Sequence, residues 1–343
     1  MSPFTLFQKD TILLDHGSGG LASQQLIKNI FLSHLDNPIL ASLEDSAVIE
    51  HNGGNLAFTT DSYVVDPIFF PGGDIGCLSI HGTINDLAMR GARPICLSLG
   101  LILEEGFAIE DLEKIIISIA RASKETGVPV IAGDTKVVPK GKGDKIFINT
   151  SGIGTVPPDL DIASRRAQPG DIVLVSGTIA DHGATILIKR NSFSLEGDFV
   201  SDTMPLHGMV TELTATCGND IHTLRDPTRG GVATTLCEIA ETAGVKITVD
   251  EEALPIKPCI SVACELLGID PLYLANEGKC LVLVAEPAAE KALQLMRSRP
   301  EGKNAAIIGK VTAGSKGRVE LRTAAGGTRL VTPLTGEPLP RIC

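Results

Sequence analysis

Apolar residues recur along this chain at two spacings, and the spacing switches repeatedly. Residues 21–35, LASQQLIKNIFLSHL, carry them three and four apart, as an amphipathic helix does. Residues 46–50 and 56–65 read as strands. Residues 76–90 read as a helix ended near Gly91 and Pro94. PICLSLGLIL (94–103) reads as a buried strand, and 111–127 as a helix stopped by Gly127. VPVIAGD reads as a short strand entering a turn, and 145–156 as the last strand of a first domain. The Pro-rich, polar stretch 157–171 marks a boundary. Beyond it the pattern predicts a strand at 172–177, helices from 180, at 205–217 and at 230–243, and a strand at 245–250. A helix at 258–267, a strand at 280–286, a helix at 287–298, a strand at 305–311 and a hairpin-like pair at 318–332 complete the second unit. The expected fold class is α/β (α+β) with two domains, 1–156 and 157–332. The tail 333–343 holds three prolines in eleven residues, so it is expected to be extended or mobile rather than helical.

Composition narrows the function classes. Aromatic residues make up 3% of the 343 and Trp is absent, which leaves no stacking platform for single-stranded nucleic acid. Thirty basic against 41 acidic residues give a net charge of −11, which repels nucleic acid and anionic membranes. The N-terminus has no basic segment followed by an apolar run, and no stretch approaches 18 apolar residues. A cytoplasmic protein is therefore expected. Eight cysteines form no C-x-x-C pair and no zinc set, and several lie in apolar runs as small hydrophobes. Cys343 differs, because it is the last residue of a polar tail.

Several motifs carry possible chemistry. Asp61, Asp134 and Asp226 follow strand-like apolar runs, and Asp45 precedes one. Carboxylates gathered at strand ends suit Mg²⁺ and polyphosphate, although Asp is also common in turns. Three glycine-rich segments, HGSGG (16–20), FPGGDIG (70–76) and DPTRGG (226–231), could present backbone N–H groups to phosphate, with Arg229 adding charge. None is a Walker A sequence. His81 and Asn85 share a face of the helix at 76–90, while Asp86 either joins the site or pairs with Arg90 four residues on. Eleven extended residues reach roughly 36 Å, enough to carry Cys343 into a partner's active site and back into its own. A terminal Cys can also be incidental, and the residues alone leave both readings open.

Taken together, HGSGG, DSAVI, TTDSYVVDPIFFPGGDIG, HGTINDLAMRGARP, GDTKVV, ADHGATIL, RDPTRGGVATTL, NEGK and the terminal PRIC closely resemble the HypE family of hydrogenase maturation proteins, in order along nearly the whole chain. That family lies in an ATP-binding superfamily with aminoimidazole ribonucleotide synthetase and selenophosphate synthetase. The resemblance implies a two-domain ATP-binding fold, a homodimer built through the N-terminal domains, and ATP and Mg²⁺ as cofactors. It implies a reaction on Cys343: a HypF-like carbamoyltransferase loads the thiol, ATP-dependent dehydration yields a thiocyanate, and cyanide passes to iron on a HypC–HypD complex. By similarity, Asp45, Asp61, Asp86, Asp134 and Asp226 are candidates for metal or nucleotide contact, with Asn85 and Arg229 also at the nucleotide. Lys136 and Glu277 would flank the carbamoylated thiol, with Glu277 as base and Lys136 orienting it; His81 and His182 could line the site. Other superfamily members fit less well. HGSGG lacks the cysteine of selenophosphate synthetases, and purine-pathway synthetases and thiamine-phosphate kinases have no use for a terminal thiol. A non-catalytic carrier, with ATP tuning tail exposure, is the rival from a different class.

Overall fold

The structure, a computed structural model, describes residues 11–35, 37–193, 195–336 and 339–343. The first helical stretch runs through α1 (Leu21–Leu26), a wider π turn at Ile27–Phe31 and α2 (Leu32–His34). Strands β1 (Ala47–His51) and β2 (Gly54–Tyr63) form a hairpin, and β3 (Phe69–Phe70) pairs with β4 (Gly73–Asp74) in a second, small one. Helix α3 (Ile75–Met89), β5 (Arg93–Glu104), α4 (Ile109–Thr126), β6 (Val130–Val138) and β7 (Ile146–Val156) follow. The first sheet has the order β1-β2-β7-β5-β6, with the β5–β6 pair alone parallel.

The second half contributes β8 (Ile172–Val175), α5 (Asp181–Asn191), α6 (His207–Cys217), β9 (Ile221–Arg225), α7 (Gly231–Ala243), β10 (Lys246–Asp250), α8 (Pro258–Leu267), β11 (Leu281–Val284), α9 (Glu286–Ser298), β12 (Ala306–Thr312), β13 (Arg318–Arg322) and β14 (Thr328–Val331). Its seven strands run β14-β13-β10-β12-β8-β11-β9. Helix α7 packs on one face, and α6 and α9 on the other. Between those layers β11 is buried at every position and β8 at three of four, which is why their sequences, LVLV and IVLV, show no alternation. Among the described residues no helix is long and apolar enough to cross a membrane.

Helix α3 joins the two halves. Asp74 caps it, its Oδ1 accepting from the N–H groups of Gly76 (2.7 Å) and Cys77 (3.1 Å). The FPGGDIG segment is thus a helix cap whose donors are taken by its own aspartate. Every residue of α3 except Asp86 is buried. Ala88 and Met89 sit in a core with Leu206, Met209 and Leu213 of the second half, while Leu78, Ile80 and Ile84 pack in the first-sheet core. A helix buried all round shows no amphipathic stripe.

Two differences from the sequence reading have simple causes. GDTK was expected to turn, yet β6 runs straight through it, because its partner β5 continues alongside, pairing Gly100 with Asp134 and Ile102 with Lys136. Both sheets are largely antiparallel, so the rule placing ligands beyond the carboxyl ends of parallel strands does not explain the site.

Asn85 cross-links the halves. Its Nδ2 donates to the carbonyls of Met204 (3.0 Å) and Glu277 (3.2 Å), and its Oδ1 accepts from Leu206 N–H (2.7 Å). Replacement by Leu strands three buried backbone groups. Asn85→Leu is therefore expected to lower stability by about 2–4 kcal/mol, read as an earlier urea midpoint. An unchanged midpoint would show that the halves are joined by α3 packing alone.

Candidate active site

Glycine-rich loops and carboxylates meet where the two halves face each other. Asp45 precedes β1, Asp61 lies in β2, Asp86 is the uncovered position of α3, Asp226 follows β9 and Glu277 precedes β11. With Thr59, Thr60, Gly82, Thr228, Arg229 and Cys343 they line a cavity of about 220 Å³. A neighbouring cavity of about 270 Å³ shares Asp45, Asp226, Thr228 and Arg229, and adds His16, Gly17 and Gly19 of HGSGG with Arg225 and Glu238. The two form one cleft. Gly19 has φ +75°, and a Cβ there would come within 2.9 Å of the Arg229 Cβ, so the HGSGG turn can rest directly on DPTRGG.

The end of the tail is docked in this cleft. Leu334, Leu339, Ile342 and Cys343 are buried, and Cys343 shares a core with Phe70, Ala184 and Leu274. Val64 N–H donates to the main-chain oxygen of Cys343 (2.9 Å), and Asp66 N–H to that of Arg341 (3.2 Å). The tail bends at 336 and over 339–341, and its last residue forms part of the wall of the carboxylate cavity.

Two family models match the chain: the N-terminal domain of AIR synthase related proteins over residues 43–156, and their C-terminal domain over 168–322. The carbamoyl dehydratase HypE of Rhizobium leguminosarum bv. viciae is 50% identical over 330 residues, covering 96% of this chain and 94% of that protein. A crystal structure of HypE in complex with ATP superposes with a TM-score of 0.82 at 50% identity, covering 97% of this chain and 100% of that one. A HypE–HypF complex gives 0.86 at 48% identity, over 90% and 99%. The chain belongs to the HypE family of AIR synthase-related proteins.

The cleft is electrostatically loaded. Burial and the neighbouring carboxylates push Asp45, Asp86 and Glu277 well above the usual carboxylate range, although Arg225 opposes this at Asp45 and Arg229 at Glu277. Asp226 is pushed up to about 6, mainly by burial, with Arg225 pulling against it. The balancing cations are few. Arg225 Nε lies 2.7 Å from Asp45 Oδ1, and Arg229 lies 3.8 Å from Asp61. The Arg229 proton is held more tightly than usual, most by the charge on Cys343 and then by Asp61, Glu277 and Asp86. Asp45 Oδ2 and Glu277 Oε1 are buried with no hydrogen-bond partner. Glu277 is fixed from behind: its N–H donates to Asp202 Oδ1 (3.2 Å), and Asp202 pairs with Lys279 at 3.2 Å. A Cβ on Gly278 would fall 1.9 Å from the Asp202 carbonyl oxygen, so only glycine fits beside Glu277.

Some candidates lie elsewhere in the single chain. His81 points away from the cavity, bonded through Nδ1 to Thr203 (3.2 Å), and burial lowers it to about 4, so it is neutral at pH 7. Asn85 spends its amide on backbone groups. Asp134 and Lys136 are exposed on β6 and pair with each other at 2.7 Å, so Lys136 does not orient Glu277 within one chain. Arg90 does not take Asp86; it lies 4.0 Å from Glu44, and Asp86 accepts instead from Thr59 Oγ1 (2.9 Å). His182 contacts the tail, its Nε2 2.7 Å from the Ile342 carbonyl. Sequence reasoning overlooked Arg225, Thr59, Gly82 and Arg190. Gly82 carries a legible signal, a glycine inside a helix, where a Cβ would meet the Tyr63 hydroxyl at 2.3 Å.

Between its ordinary 3.8 and its folded value of about 6, Asp226 holds more proton in the folded state than in the unfolded state. Ionising it at neutral pH therefore costs stability, and the cost fades as pH falls through that window. Asp226→Asn is expected to stabilise the nucleotide-free protein by on the order of 2–3 kcal/mol at pH 7.5 and by much less at pH 4.5. Urea titrations at the two pH values check this; a destabilised variant at pH 7.5 would contradict it.

Proposed function

We propose that this chain is a cytoplasmic, ATP-dependent carbamoyl dehydratase of [NiFe] hydrogenase maturation, converting an S-carboxamide on Cys343 into a thiocyanate. The observation that carries the reading is the terminal thiol at the wall of a cavity lined by five carboxyl groups and Arg229. The relatives named carbamoyl dehydratase and the HypE solved with ATP support it, and the HypE–HypF complex supports a HypF-like carbamoyltransferase as loading partner. A HypC–HypD complex would accept the cyanide.

The residues suit each step. A carboxamide oxygen leaves poorly, so it is first phosphorylated by ATP. Phosphorylation with loss of one nitrogen proton gives an imidate phosphate, R–S–C(OPO3)=NH, and departure of phosphate with loss of the second nitrogen proton leaves S–C≡N. Glu277 is the base: burial and the neighbouring carboxylates raise it well above the usual carboxylate range, which makes it a stronger proton acceptor. Arg229 stands beside Cys343 and stabilises negative charge developing there. The cleft between HGSGG and DPTRGG, at the start of α7, suits phosphate.

Mg²⁺ fits this donor set. Asp45, Asp61, Asp86 and Asp226 line one cleft with two arginines against them, and Asp45 keeps an unpartnered buried oxygen. Among the described residues no three such groups already converge as a closed metal site. Mg²⁺ would be held by one or two of these carboxylates and by substrate phosphates, whose charge it would neutralise.

Asp134 and Lys136 join the site only in an associated pair of chains. Phe58 on β2, Ile102 on β5 and Ile153 on β7 are exposed on one face of this sheet, and Ile131 and Val137 are exposed along its bare β6 edge. A homodimer through this sheet would cover it. Val137→Asp is expected to yield a monomer by sedimentation velocity, with ATP hydrolysis reduced at least tenfold. A monomeric variant of full activity would remove Lys136 and Asp134 from the reaction.

Cys343→Ala is expected to fold and bind ATP but show no hydrolysis dependent on the carbamoylating partner. Glu277→Gln should accept the carbamoyl group and dehydrate it at least 100-fold more slowly. Carbamoyl-dependent ATP hydrolysis in Cys343→Ala would favour a carrier role for the tail over chemistry upon it.

A further inference from the structure

A main-chain oxygen of each of the last four residues is held by the body of the protein. Arg190 of α5 grips three carbonyls at once: Nε donates to Asp66 (2.8 Å), Nη1 to Pro340 (2.7 Å) and Nη2 to Arg341 (2.8 Å). One guanidinium thus ties the tail to the segment it lies along. His182, two turns earlier on the same helix, meets the Ile342 carbonyl through Nε2 at 2.7 Å, while Nδ1 lies 2.7 Å from Ser201 Oγ. Burial keeps this imidazole neutral, so with Ser201 donating to Nδ1, the Nε2–H points at the tail. Phe70 stacks edge-on against the ring at 5.5 Å. Val64 N–H holds Cys343, as described above.

Arg341 completes the arrangement from the tail side. It has φ +57°, a left-handed conformation that needs compensation in a non-glycine residue. Its Nε donates to the Val64 carbonyl (2.8 Å), and its guanidinium pairs with Asp144. The turn at Arg341 aims Ile342 into the core and Cys343 into the cavity.

We propose that Arg190 and His182 are positioning residues, a latch on α5 that holds the tail docked with Cys343 at the carboxylates and sets how readily it is released. They act on main-chain carbonyls and touch no reacting atom. The consequence for catalysis rests on the dehydratase reading above. A docked thiol is placed for dehydration and withheld from the carbamoyltransferase, so weakening the latch speeds loading and slows dehydration. A residue that only supported the fold would slow both.

The test begins with a readout that needs no assumed activity. Full-length protein is pulsed with iodoacetamide, and each cysteine is followed by peptide mass spectrometry. In Arg190→Ala, loss of three charge-assisted hydrogen bonds is expected to raise Cys343 alkylation at least about tenfold. Cys280, fully buried in the second core, should stay unreactive. Should Arg190→Ala expose Cys280 as well, Arg190→Lys keeps the charge but not the three-way grip, and is expected to raise Cys343 labelling severalfold. Unchanged Cys343 labelling with Cys280 protected overturns the latch. The second readout uses the partner transferase, carbamoyl phosphate and ATP, with loading and single-turnover dehydration timed separately. Opposite shifts support the positioning role; equal slowing of both overturns it. If the wild type is never carbamoylated, the dehydratase reading fails, while the labelling result still decides the latch.

Discussion

Like charges brought together in one partly buried cleft set the terms for this molecule. Asp45, Asp61, Asp86, Asp226 and Glu277 share one small cavity, against Arg229 and, through Asp45, Arg225. In a low dielectric such a set cannot all ionise without cation or proton to balance it. The protein meets this partly by raising the carboxyl groups, Glu277 among them, and partly by leaving room in the cleft. The same repulsion makes the site a cost to stability, borne by the two cores and by α3 between them.

The fold supplies the rigidity this needs. Asp61 and Asp86 sit on β2 and α3, and Asp45, Asp226 and Glu277 sit on connecting residues near the ends of β1, β9 and β11, so sheet register and the buried α3 set much of their spacing. Asn85 fastens α3 to the Glu277 carbonyl, and Gly278 lets Glu277 lie directly on Asp202. Against that frame the tail is bound through its backbone, with no helix among its described residues. A segment held mainly by its carbonyls can be placed accurately and still be let go.

Much of this was legible in the residues. Apolar spacing gave α4 and the buried strands nearly to the residue, and Gly127 ended α4 as its sequence implies. Asp45, Asp61 and Asp226 border apolar runs and line the cavity, but Asp134 carries the same signal and lies exposed on β6, while Asp86 stood out only on its helix and through the family resemblance. What failed depended on distant partners. GDTK looks like a turn, and only pairing with β5 straightens it. His81 and Asn85 share a helix face, but α3 is buried on every side, so a shared face did not mean a shared site. Arg190 and Arg225 sit in ordinary helical and strand contexts, with no local sign that one holds the tail and the other Asp45.

The most direct test of the central claim is intact-protein mass spectrometry after incubation with the carbamoylating partner, carbamoyl phosphate and ATP, with peptide mapping of the adduct. The account predicts a carbamoyl group on Cys343 that becomes lighter by one water as ATP is consumed. A thiol that stays unmodified in the presence of a competent partner, or an adduct that persists unchanged while ATP is hydrolysed, would contradict it.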